Sequence, residues 1–401
     1  MNGFLDGVRV VELASESASF AGKLMADFGA EVILVEPPGG HNTRAYEPFL
    51  DDSSGPERSL WFWHYNTSKA SVVLDLETTA GRARLRDLIA ACDVVLEAET
   101  PGRVASLGFD QNDLRAEYPR LVWTSVTLFG SSGPRNLEPA SDITLMAGGG
   151  IAWNCGYDDH SLPPVAGSGH QAFHTGSLYA VLATLTALVH RDVSGRGQFI
   201  DVNINAAVNI TTEAGSYEWL VAEATVQRQT CRHAAVRPST ASLATAADGR
   251  IVHTGVPPRA KREFEALLGW LRDLDLADDY QETFFLEMGI ERGGVHLSEL
   301  GSNPEAGAIF GAGREALRFV AERLPARDFF IGGQARGLSV GILNAPEDVM
   351  ADPHFAARGF HLEVAHDELG RSFVYPGLPF QGTTAGGSIR RAPLLDSYDD
   401  R

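Results

Sequence analysis

Residues 8–36 read VRVVELASESASFAGKLMADFGAEVILVE, and this stretch indicates the class of fold. Apolar residues dominate residues 8–13 and 31–35, as is typical of strands that are buried on both faces of a parallel sheet. Between them, residues 19–28 carry the small and apolar residues of a short helix. Two such strands joined by a helix form a βαβ unit, in which the strands run parallel.

The alternation of strands and helices continues beyond this unit. Further strands are predicted at residues 71–76, 93–97, 120–126 and 199–204, and further helices at residues 79–91 and 174–190. This alternation predicts an α/β fold, in which a parallel sheet is covered by helices on both faces. From about residue 221 the pattern changes, and a mainly helical stretch over residues 261–324 predicts a second, smaller domain.

The composition limits the classes of function that the chain can have. It contains 33 Lys and Arg against 52 Asp and Glu, a net charge of −19, whereas a protein that binds nucleic-acid phosphates needs a basic surface. A hydrophobic content of 44% with 21% charged residues is that of a folded globular chain. We therefore expect no nucleic-acid partner.

Cysteine usage and hydropathy indicate the compartment. Cys92, Cys155 and Cys231 lie far apart and form no CxxC pair, which predicts neither a disulfide framework nor a thiolate metal site and favours the reducing cytoplasm. The longest apolar stretch, residues 178–189, is interrupted by two threonines and is shorter than the roughly 20 residues that span a bilayer. We expect a buried helix there and no membrane association.

Few residues with catalytic chemistry stand at a diagnostic spacing. The sequence contains no HExxH, GxSxG or GxxxxGK[ST] motif. His170 and His174 are four residues apart, so a helix would place them on one face, where they could bind a metal or relay protons. A helix-start histidine and a packed histidine explain the same spacing, and we predict no metal site. The residues alone indicate an α/β protein that could be a small-molecule enzyme.

Five segments carry a more specific pattern. They are LDGVRVVEL at residues 5–13, ADFGAEV at 26–32, VEPPGG at 35–40, SGRGQFIDV at 194–202 and DPHFAARG at 352–359. Together they resemble class III CoA-transferases, the group of formyl-CoA transferases, carnitine-CoA transferases and methylacyl-CoA racemases. The resemblance covers nearly the whole chain.

The resemblance implies a particular domain arrangement. A Rossmann-like large domain would be built from both chain ends, here residues 1–210 and 340–401. A smaller middle domain would cover residues 225–335. The family also implies an interlocked-ring dimer, in which two subunits are joined like links of a chain, so that a partner covers much of each subunit's surface.

The resemblance further implies a nucleophilic aspartate, and this chain lacks it. In the transferases, the aspartate carboxylate attacks the acyl-CoA thioester and forms a mixed anhydride, then an aspartyl-CoA thioester. The aspartate stands eighteen residues before the arginine that ends the long helix, which is Arg191 here, and this count reaches Phe173. Residues 169–176 contain no Asp or Glu. We therefore predict no catalytic residue in this chain.

Racemase chemistry is not expected either. The racemase branch of the family uses a histidine directly before the aspartate of a middle motif as one of two bases. Here Ser141 precedes Asp142, and the slot of the second base falls at Ala172 or Phe173. Neither base is therefore present in its family position.

The contacts to coenzyme A that the resemblance implies are partly altered. Ala98, Ser106 and Ala70 stand where the family has an Asn, an Arg and an Arg. Each lost arginine removes a bidentate phosphate donor. We expect no resident cofactor, and we expect the CoA thioester, as substrate, to be held mainly by a partner. The positions that still match coenzyme contacts are Ser17, Ala18, Lys69, Ser71, Glu97 and Arg103.

These losses lead to three functional hypotheses. In the first, the chain is the Asp-lacking subunit of a heteromeric class III CoA-transferase, similar to the two-component succinyl-CoA:benzylsuccinate type, and its partner is a homologous Asp-bearing subunit. The complex would move CoA from an acyl-CoA such as succinyl-CoA to an organic acid such as an aryl-substituted succinate. In the second, the chain is a self-sufficient CoA-thioester isomerase or hydratase that uses Asp142, His170 or His174. In the third, it is a non-enzymatic partner that stabilises or regulates another subunit.

An aromatic block at residues 61–65 bears on the acceptor. It reads WFWHY, a composition that suits binding of an aryl or otherwise bulky acid. Packing of the same rings in the hydrophobic core explains the block equally well, so both interpretations stay open at the level of sequence.

Overall fold

The computed structural model describes residues 3–157, 159–229, 232–234, 242–383 and 386–398. The chain divides into two compact units, a large one formed by Met1–Pro238 with Ala356–Arg401 and a small one formed by Ser239–Phe355. Cys231, which entered the sequence analysis, lies outside the described residues.

The strands are β1 Arg9–Leu13, β2 Glu31–Glu36, β3 Ala70–Val73, β4 Val94–Glu97, β5 Val122–Thr127, β6 Phe199–Asn203, β7 Gln227–Gln229, β8 Arg232–Ala234, β9 Leu243–Thr245, β10 Ile251–His253, β11 Gly341–Ile342, β12 His361–His366 and β13 Arg371–Pro376. The helices are α1 Ser19–Asp27, α2 Leu60–Tyr65, α3 Thr79–Ala90, α4 Arg103–Ser106, α5 Gln111–Glu117, α6 Asp142–Gly148, α7 Ile151–Asn154, α8 Gln171–Ser194, α9 Ile204–Ile210, α10 Glu213–Ala222, α11 Lys261–Asp273, α12 Thr283–Glu291, α13 Pro304–Ala321, α14 Ala326–Ala335, α15 Pro346–Ala351 and α16 Pro353–Ala357.

Six strands of the large unit form one parallel sheet in the order β3-β2-β1-β4-β5-β6. The predicted parallel sheet with helices on both faces is therefore confirmed. The strand order reverses between β1 and β4, so that the connections from these two strands leave in opposite directions. In sheets of this kind, ligands bind in the crevice at the carboxyl ends of the strands where the order reverses.

Alternate residues of each strand point to opposite faces, and each face has its own core. Val10, Val32 and Val94 pack in the core that includes residues of α1 and α8. Val11 and Val95 pack in a second core on the other face, with residues of α3 and α5. Because both faces are covered, the strands are apolar almost throughout, as their sequences indicated.

Helix α8 begins two residues before Phe173, which the sequence analysis assigned to the nucleophile position. It spans 24 residues and ends at Gly195, which has a positive φ of 74° and so closes the helix in the left-handed conformation that glycine tolerates. By length and composition α8 would be able to cross a membrane. Half of its most apolar stretch of residues, however, is buried inside the protein. Packing between the sheet, α1 and α9 accounts for its apolar sequence.

The small unit has a separate core. Its strands form a three-stranded sheet in the order β11-β10-β9, and both pairings are antiparallel. Phe264, Trp270 and Leu271 from α11 pack with Phe329 from α14 in this core.

In the large unit, the hairpin of β12 and β13 packs with residues of α2, including Trp63.

Candidate functional site

The reversal of strand order brings two loops to one edge of the sheet. Residues 14–18 follow β1 and residues 98–102 follow β4, and these strands are paired in parallel, with Glu12 opposite Leu96. The edge therefore gathers Ser17, Ala18 and Glu97, three of the residues that the sequence assigned to coenzyme. The hydroxyl of Ser177 on α8 donates to the carbonyl of Ser17 across 3.3 Å, which holds the first loop against α8.

Phe173, which the sequence analysis assigned to the nucleophile position, lies in the first turn of α8. It is only 6% exposed, and its backbone N–H donates to Oδ1 of Asp142 across 3.0 Å. The Asp142 carboxylate thus caps the start of α8, where a negative charge also interacts favourably with the helix dipole. One oxygen of the Asp142 carboxylate is therefore used to satisfy the helix backbone.

His170 is held in one tautomer by its neighbours. The indole Nε1 of Trp61 can only donate, and it lies 3.2 Å from Nε2 of His170, so this nitrogen is the acceptor. The proton of the neutral imidazole is then on Nδ1, which faces Oε1 of Glu16 at 3.5 Å. The hydroxyl of Tyr46 donates to the other oxygen of Glu16 across 2.9 Å. The imidazole of His170 also stacks on the ring of Phe173, with centroids 5.6 Å apart.

His174 lies one helical turn further on and has different partners. Its Nε2 is 2.8 Å from the hydroxyl of Tyr65, and its ring packs against Phe20 with centroids 4.4 Å apart. Burial lowers the pKa of His174 and raises the pKa of Tyr65 to about 12. Both groups are therefore neutral near pH 7. No group of three or more His, Cys, Asp or Glu that could hold a metal occurs within the described part of the chain.

Lys69 and Ser71 lie inside buried polar networks. The ammonium of Lys69 contacts Oε1 of Glu12 at 2.8 Å, Oδ1 of Asn66 at 2.9 Å and the carbonyl of Ser19 at 3.0 Å. These three bonds use all three donors of the ammonium. The hydroxyl of Ser71 donates to Glu36 across 2.6 Å. The assignment of Lys69 to coenzyme stays a prediction, and it requires Lys69 to exchange one of these partners.

Close packing fixes the Lys69 network. A Cβ added to Gly22 of α1 would lie 1.8 Å from Oε2 of Glu12, so only glycine lets α1 approach β1 at this point. Burial lowers the pKa of Lys69 and raises the pKa of Glu12, and the attraction between the two charges opposes both shifts. The pair is therefore part of the core beneath α1.

Glu97 and Arg103 lie on either side of the loop after β4. Glu97 is 6% exposed, and it accepts the backbone N–H of Glu99 at 2.8 Å and the indole N–H of Trp123 at 3.4 Å. Burial raises the pKa of Glu97. Arg103, in contrast, lies at the surface and forms an ion pair with Glu77.

Two cavities flank the loop after β4. One, of about 250 Å³, includes Glu97, Glu99 and Trp123 in its lining. The other, of about 280 Å³, is bounded by the loop, the end of β5 and residues 136–140. Ala98, which stands where the resemblance implies an Asn, lines the second cavity.

Sequence reasoning anticipated part of this arrangement. It singled out His170, His174 and the aromatic block at residues 61–65. It did not decide whether this block packs in the core or binds a ligand. Phe62 and Trp63 are buried in the core, whereas Trp61 and Tyr65 contact the two histidines. It missed Glu16 and Tyr46, because nothing in the local sequence relates them to a histidine more than 120 residues away.

A six-stranded parallel sheet with helices on both faces and one reversal of strand order defines a doubly wound α/β protein. The sequence model of CoA-transferase family III matches residues 5–287, which is more than half of the chain. The chain belongs to this family, and the predicted resemblance to class III CoA-transferases is confirmed.

Relatives and solved structures agree with this placement. Succinyl-CoA:(R)-benzylsuccinate CoA-transferase subunit BbsE of Thauera aromatica is 29% identical over 97% of this chain and 91% of its own length. Succinate–glutarate CoA-transferase of Agrobacterium fabrum is 29% identical over 93% of this chain and 88% of its own length. The crystal structure of a CAIB/BAIF family protein from Brucella suis superposes with a TM-score of 0.79 at 27% identity, and the match covers 99% of this chain and 97% of that one.

Proposed function

We propose that this chain is the Asp-lacking subunit of a heteromeric class III CoA-transferase and that it acts with a homologous Asp-bearing subunit. The proposal rests on Phe173, a buried aromatic ring at the position that counting back from Arg191 assigns to the family's nucleophile. A phenyl ring has no lone pair with which to attack a thioester. The nucleophilic step therefore needs a carboxylate from another chain.

The chemistry of the complex follows the family's scheme. The partner's aspartate attacks the thioester carbonyl, the CoA thiolate leaves and a mixed anhydride forms. The thiolate then attacks the aspartyl carbonyl, which releases the donor acid and leaves an aspartyl-CoA thioester. The acceptor carboxylate attacks this thioester, the CoA thiolate leaves and a second mixed anhydride forms. The thiolate then attacks the acceptor's acyl carbon, which forms the new thioester and frees the aspartate. Each step exchanges one acyl bond for another, so the sequence needs no oxidant and no metal.

The charges at the edge of the sheet support the placement of CoA mainly on the partner. CoA carries phosphate groups, and the loop after β4 presents the acids Glu97 and Glu99. The cation Arg103 is paired with Glu77, and the ammonium of Lys69 has no free donor. A phosphate chain placed here would meet like charge without a compensating donor.

Exposed apolar residues support a partner subunit. On α8, Leu182 is 60% and Val189 68% exposed, and α10 exposes Leu220 and Val221 at 80% and 87%. Large exposed apolar areas on a folded protein commonly mark interfaces. A homologous subunit in the interlocked-ring arrangement of the family would cover these residues, and the large domain of residues 1–210 with 340–401 and the small domain of residues 225–335 would form such a ring.

Succinyl-CoA and an aryl-substituted succinate are the proposed donor and acceptor. The support is the name of the relative from Thauera aromatica, which acts on succinyl-CoA and (R)-benzylsuccinate. Trp61 and Tyr65, whose rings pack 4.2 Å apart, offer an aromatic surface beside Phe173 for the aryl group. We place the complex in the cytoplasm, where thiols such as Cys92 and Cys155, both free in the described chain, stay reduced.

The two alternative hypotheses have less support. As a base for isomerisation or hydration, His170 would have to give up its bond from Trp61, and Asp142 its bond from the backbone of Phe173. The activity of the complex separates a purely stabilising role from the proposed role. A stabilising subunit would be dispensable for the rate once the partner is folded.

The test is an assay of CoA transfer from succinyl-CoA to benzylsuccinate with this chain alone, the Asp-bearing subunit alone and the two together. We expect transfer only by the complex, together with a CoA adduct on the partner's aspartate after trapping and mass spectrometry. The matched control is the complex in which that aspartate is replaced by alanine. Transfer by this chain alone, or a CoA adduct on one of its carboxylates, would overturn the proposal.

A further inference from the structure

A chain of four polar contacts side by side joins separate segments of the large unit next to Phe173. The hydroxyl of Tyr46 donates to Oε2 of Glu16 across 2.9 Å, and Oε1 of Glu16 lies 3.5 Å from Nδ1 of His170. Nε2 of His170 accepts the indole N–H of Trp61 across 3.2 Å. His170 therefore links the loop after β1 to helix α2 at the point where α8 begins.

The bond from Trp61 to His170 fixes the orientation of the indole ring. The torsion that turns an aromatic ring about its bond to Cβ has broad, roughly two-fold preferences, so an indole without a polar partner has two accessible orientations. The ring of Trp61 lies against Tyr46 and Tyr65, with centroids 5.3 and 4.2 Å away, and it stays partly exposed. The acceptor on His170 therefore decides which edge of the indole meets solvent.

The imidazole of His170 is supported from its other side by Phe173. The two rings stack with centroids 5.6 Å apart and with planes only 9° apart. Phe173 is 6% exposed, and its backbone N–H is bound to Asp142. The phenyl ring is thus a fixed support for the imidazole, and through it for the indole of Trp61.

Charge determines which part of an organic acid fits beside Trp61. Burial and the negative charges of Asp142 and Glu16 raise the pKa of Tyr65 to about 12, so the surroundings of these rings are negative. A substrate carboxylate placed here would meet like charge. An aryl group would instead pack on the rings of Trp61 and Tyr65. The surroundings therefore favour the aryl end of an aryl-substituted acid over its carboxylate end.

We propose that His170 is a positioning residue that sets the selectivity for an aryl acceptor. It holds the indole of Trp61 in the orientation that packs the aryl group together with Tyr65. The inference rests on the proposed function, in which the acceptor is an aryl-substituted succinate. Because the Nε2 lone pair of His170 is occupied by the indole N–H, His170 acts through Trp61 and not on the reacting atoms.

The test compares benzylsuccinate with methylsuccinate, which keeps both carboxylates and lacks the phenyl ring. KM and kcat of the complex are measured for both acids. His170→Phe keeps a ring but accepts no hydrogen bond, so we expect KM for benzylsuccinate to rise at least about fivefold, while kcat and KM for methylsuccinate stay within about twofold. His170→Gln carries an amide oxygen that accepts the indole N–H and should keep all values within about twofold of wild type.

A double-variant cycle shows whether His170 acts through Trp61. Trp61→Phe should also raise KM for benzylsuccinate, and the combination with His170→Phe should raise it no further than the larger single effect. His354→Phe, the same substitution at an exposed histidine of α16, is the control and should leave both KM values unchanged. If His170→Phe does not fold, His170→Leu carries the same expectation, because it also lacks an acceptor.

Titration calorimetry with the two acids in the absence of CoA separates this inference from the proposed function. It is carried out on the complex and on the full chain alone. If the wild-type complex transfers no CoA, the proposed function fails, and the ratio of the two dissociation constants in wild type and His170→Phe still decides the role of His170. An equal loss for both acids, a lower kcat at unchanged KM, or no preference for benzylsuccinate in the wild type would overturn the inference.

Discussion

The indole Nε1 of Trp61 donates to Nε2 of His170 across 3.2 Å, and the two residues are 109 positions apart in the sequence. This bond joins α2 to the start of α8 beside Phe173. It fixes the imidazole with its proton on Nδ1, toward Glu16. The surroundings of Phe173 are thus organised by aromatic and imidazole groups.

Replacement of Trp61 by Phe should remove the preference of His170 for the tautomer with its proton on Nδ1. The ring is retained, but Nε2 of His170 loses the donor that Trp61 supplies. We expect the ¹⁵N NMR signals of His170 to change from a single Nδ1–H tautomer to a mixture, with a loss of about 1 kcal/mol in the free energy of unfolding. Trp63→Phe is the control, because Trp63 donates to the carbonyl of Glu57 and does not contact His170. An unchanged tautomer in Trp61→Phe would contradict the assignment.

Restoring an acid at the family's nucleophile position should not restore activity. Phe173→Asp places a carboxyl group in a site that is 6% exposed and removes a packed ring, so we expect a loss of about 3 to 5 kcal/mol in the free energy of unfolding. We also expect no CoA adduct on this chain, because the coenzyme contacts are altered as well. Phe173→Leu, which keeps the site apolar, should retain the activity of the complex. The measurement is mass spectrometry after incubation with succinyl-CoA. A CoA adduct on residue 173 would contradict the prediction.

The buried pair of Lys69 and Glu12 should behave as a structural unit. Lys69→Met leaves the Glu12 carboxylate buried without its cation, and we expect a loss of roughly 3 to 5 kcal/mol in urea unfolding. The double variant Glu12→Gln with Lys69→Met removes both charges and should regain most of that loss. If Lys69 instead serves mainly to hold phosphate, Lys69→Met would leave stability unchanged and weaken CoA binding by the complex.

His366 should make stability depend on pH. The side chain is fully buried, its Nε2 lies 3.0 Å from the hydroxyl of Tyr375, and burial with the nearby Arg391 lowers its pKa. Below the ordinary pKa of about 6.5 the unfolded chain binds a proton that the folded chain resists, so stability is lost as the pH falls.

The prediction for His366 is checked by measuring the free energy of unfolding between pH 7.5 and pH 5.5. This range brackets the ordinary histidine pKa of roughly 6.5. One proton of difference corresponds to a slope of up to about 1.4 kcal/mol per pH unit. His366→Gln should reduce the slope, and His354→Gln, which removes a histidine on the short helix α16, serves as the control. Equal slopes in wild type and His366→Gln would contradict the assignment.

The exposed apolar face of α8 should be needed for assembly. Leu182→Asp and Val189→Asp place charges on residues that are 60% and 68% exposed, so the isolated chain should keep its stability to within about 0.5 kcal/mol. We expect the same substitutions to weaken the complex with the Asp-bearing subunit by at least about tenfold, measured by sedimentation velocity. Phe284→Asp, at an equally exposed apolar residue of the small unit, is the control. If both α8 variants assemble as the wild type does, this face of α8 is not part of the interface.

Several elements followed directly from local sequence patterns. The apolar stretch now seen as β1, the small-residue helix α1 and the strand β2 were predicted within a few residues, because parallel strands buried on both faces are apolar throughout. The long helix was predicted at residues 174–190 and spans Gln171–Ser194, and its end coincides with Gly195, whose left-handed conformation stops a helix.

The candidate site was predicted only in part. Phe173 was assigned to the nucleophile position by counting from Arg191, and the structure buries its ring in the first turn of α8. The partners of His170 were not predicted, since they depend on which distant segments meet. No local pattern encodes a contact between a loop after β1 and a helix that starts 150 residues later.

The sequence by itself determined the parallel α/β class and the family, and it supplied the prediction that Phe173 replaces the nucleophilic aspartate, since periodicity, motif order and the identity of one residue are local properties. Tertiary structure alone decided that Asp142 caps α8, that Lys69 is enclosed by three acceptors and that Trp61 donates to His170. The physical reason is that burial and hydrogen-bond partners depend on segments brought together by the sheet, and those contacts set the charge, donor and acceptor capacity that each side chain retains.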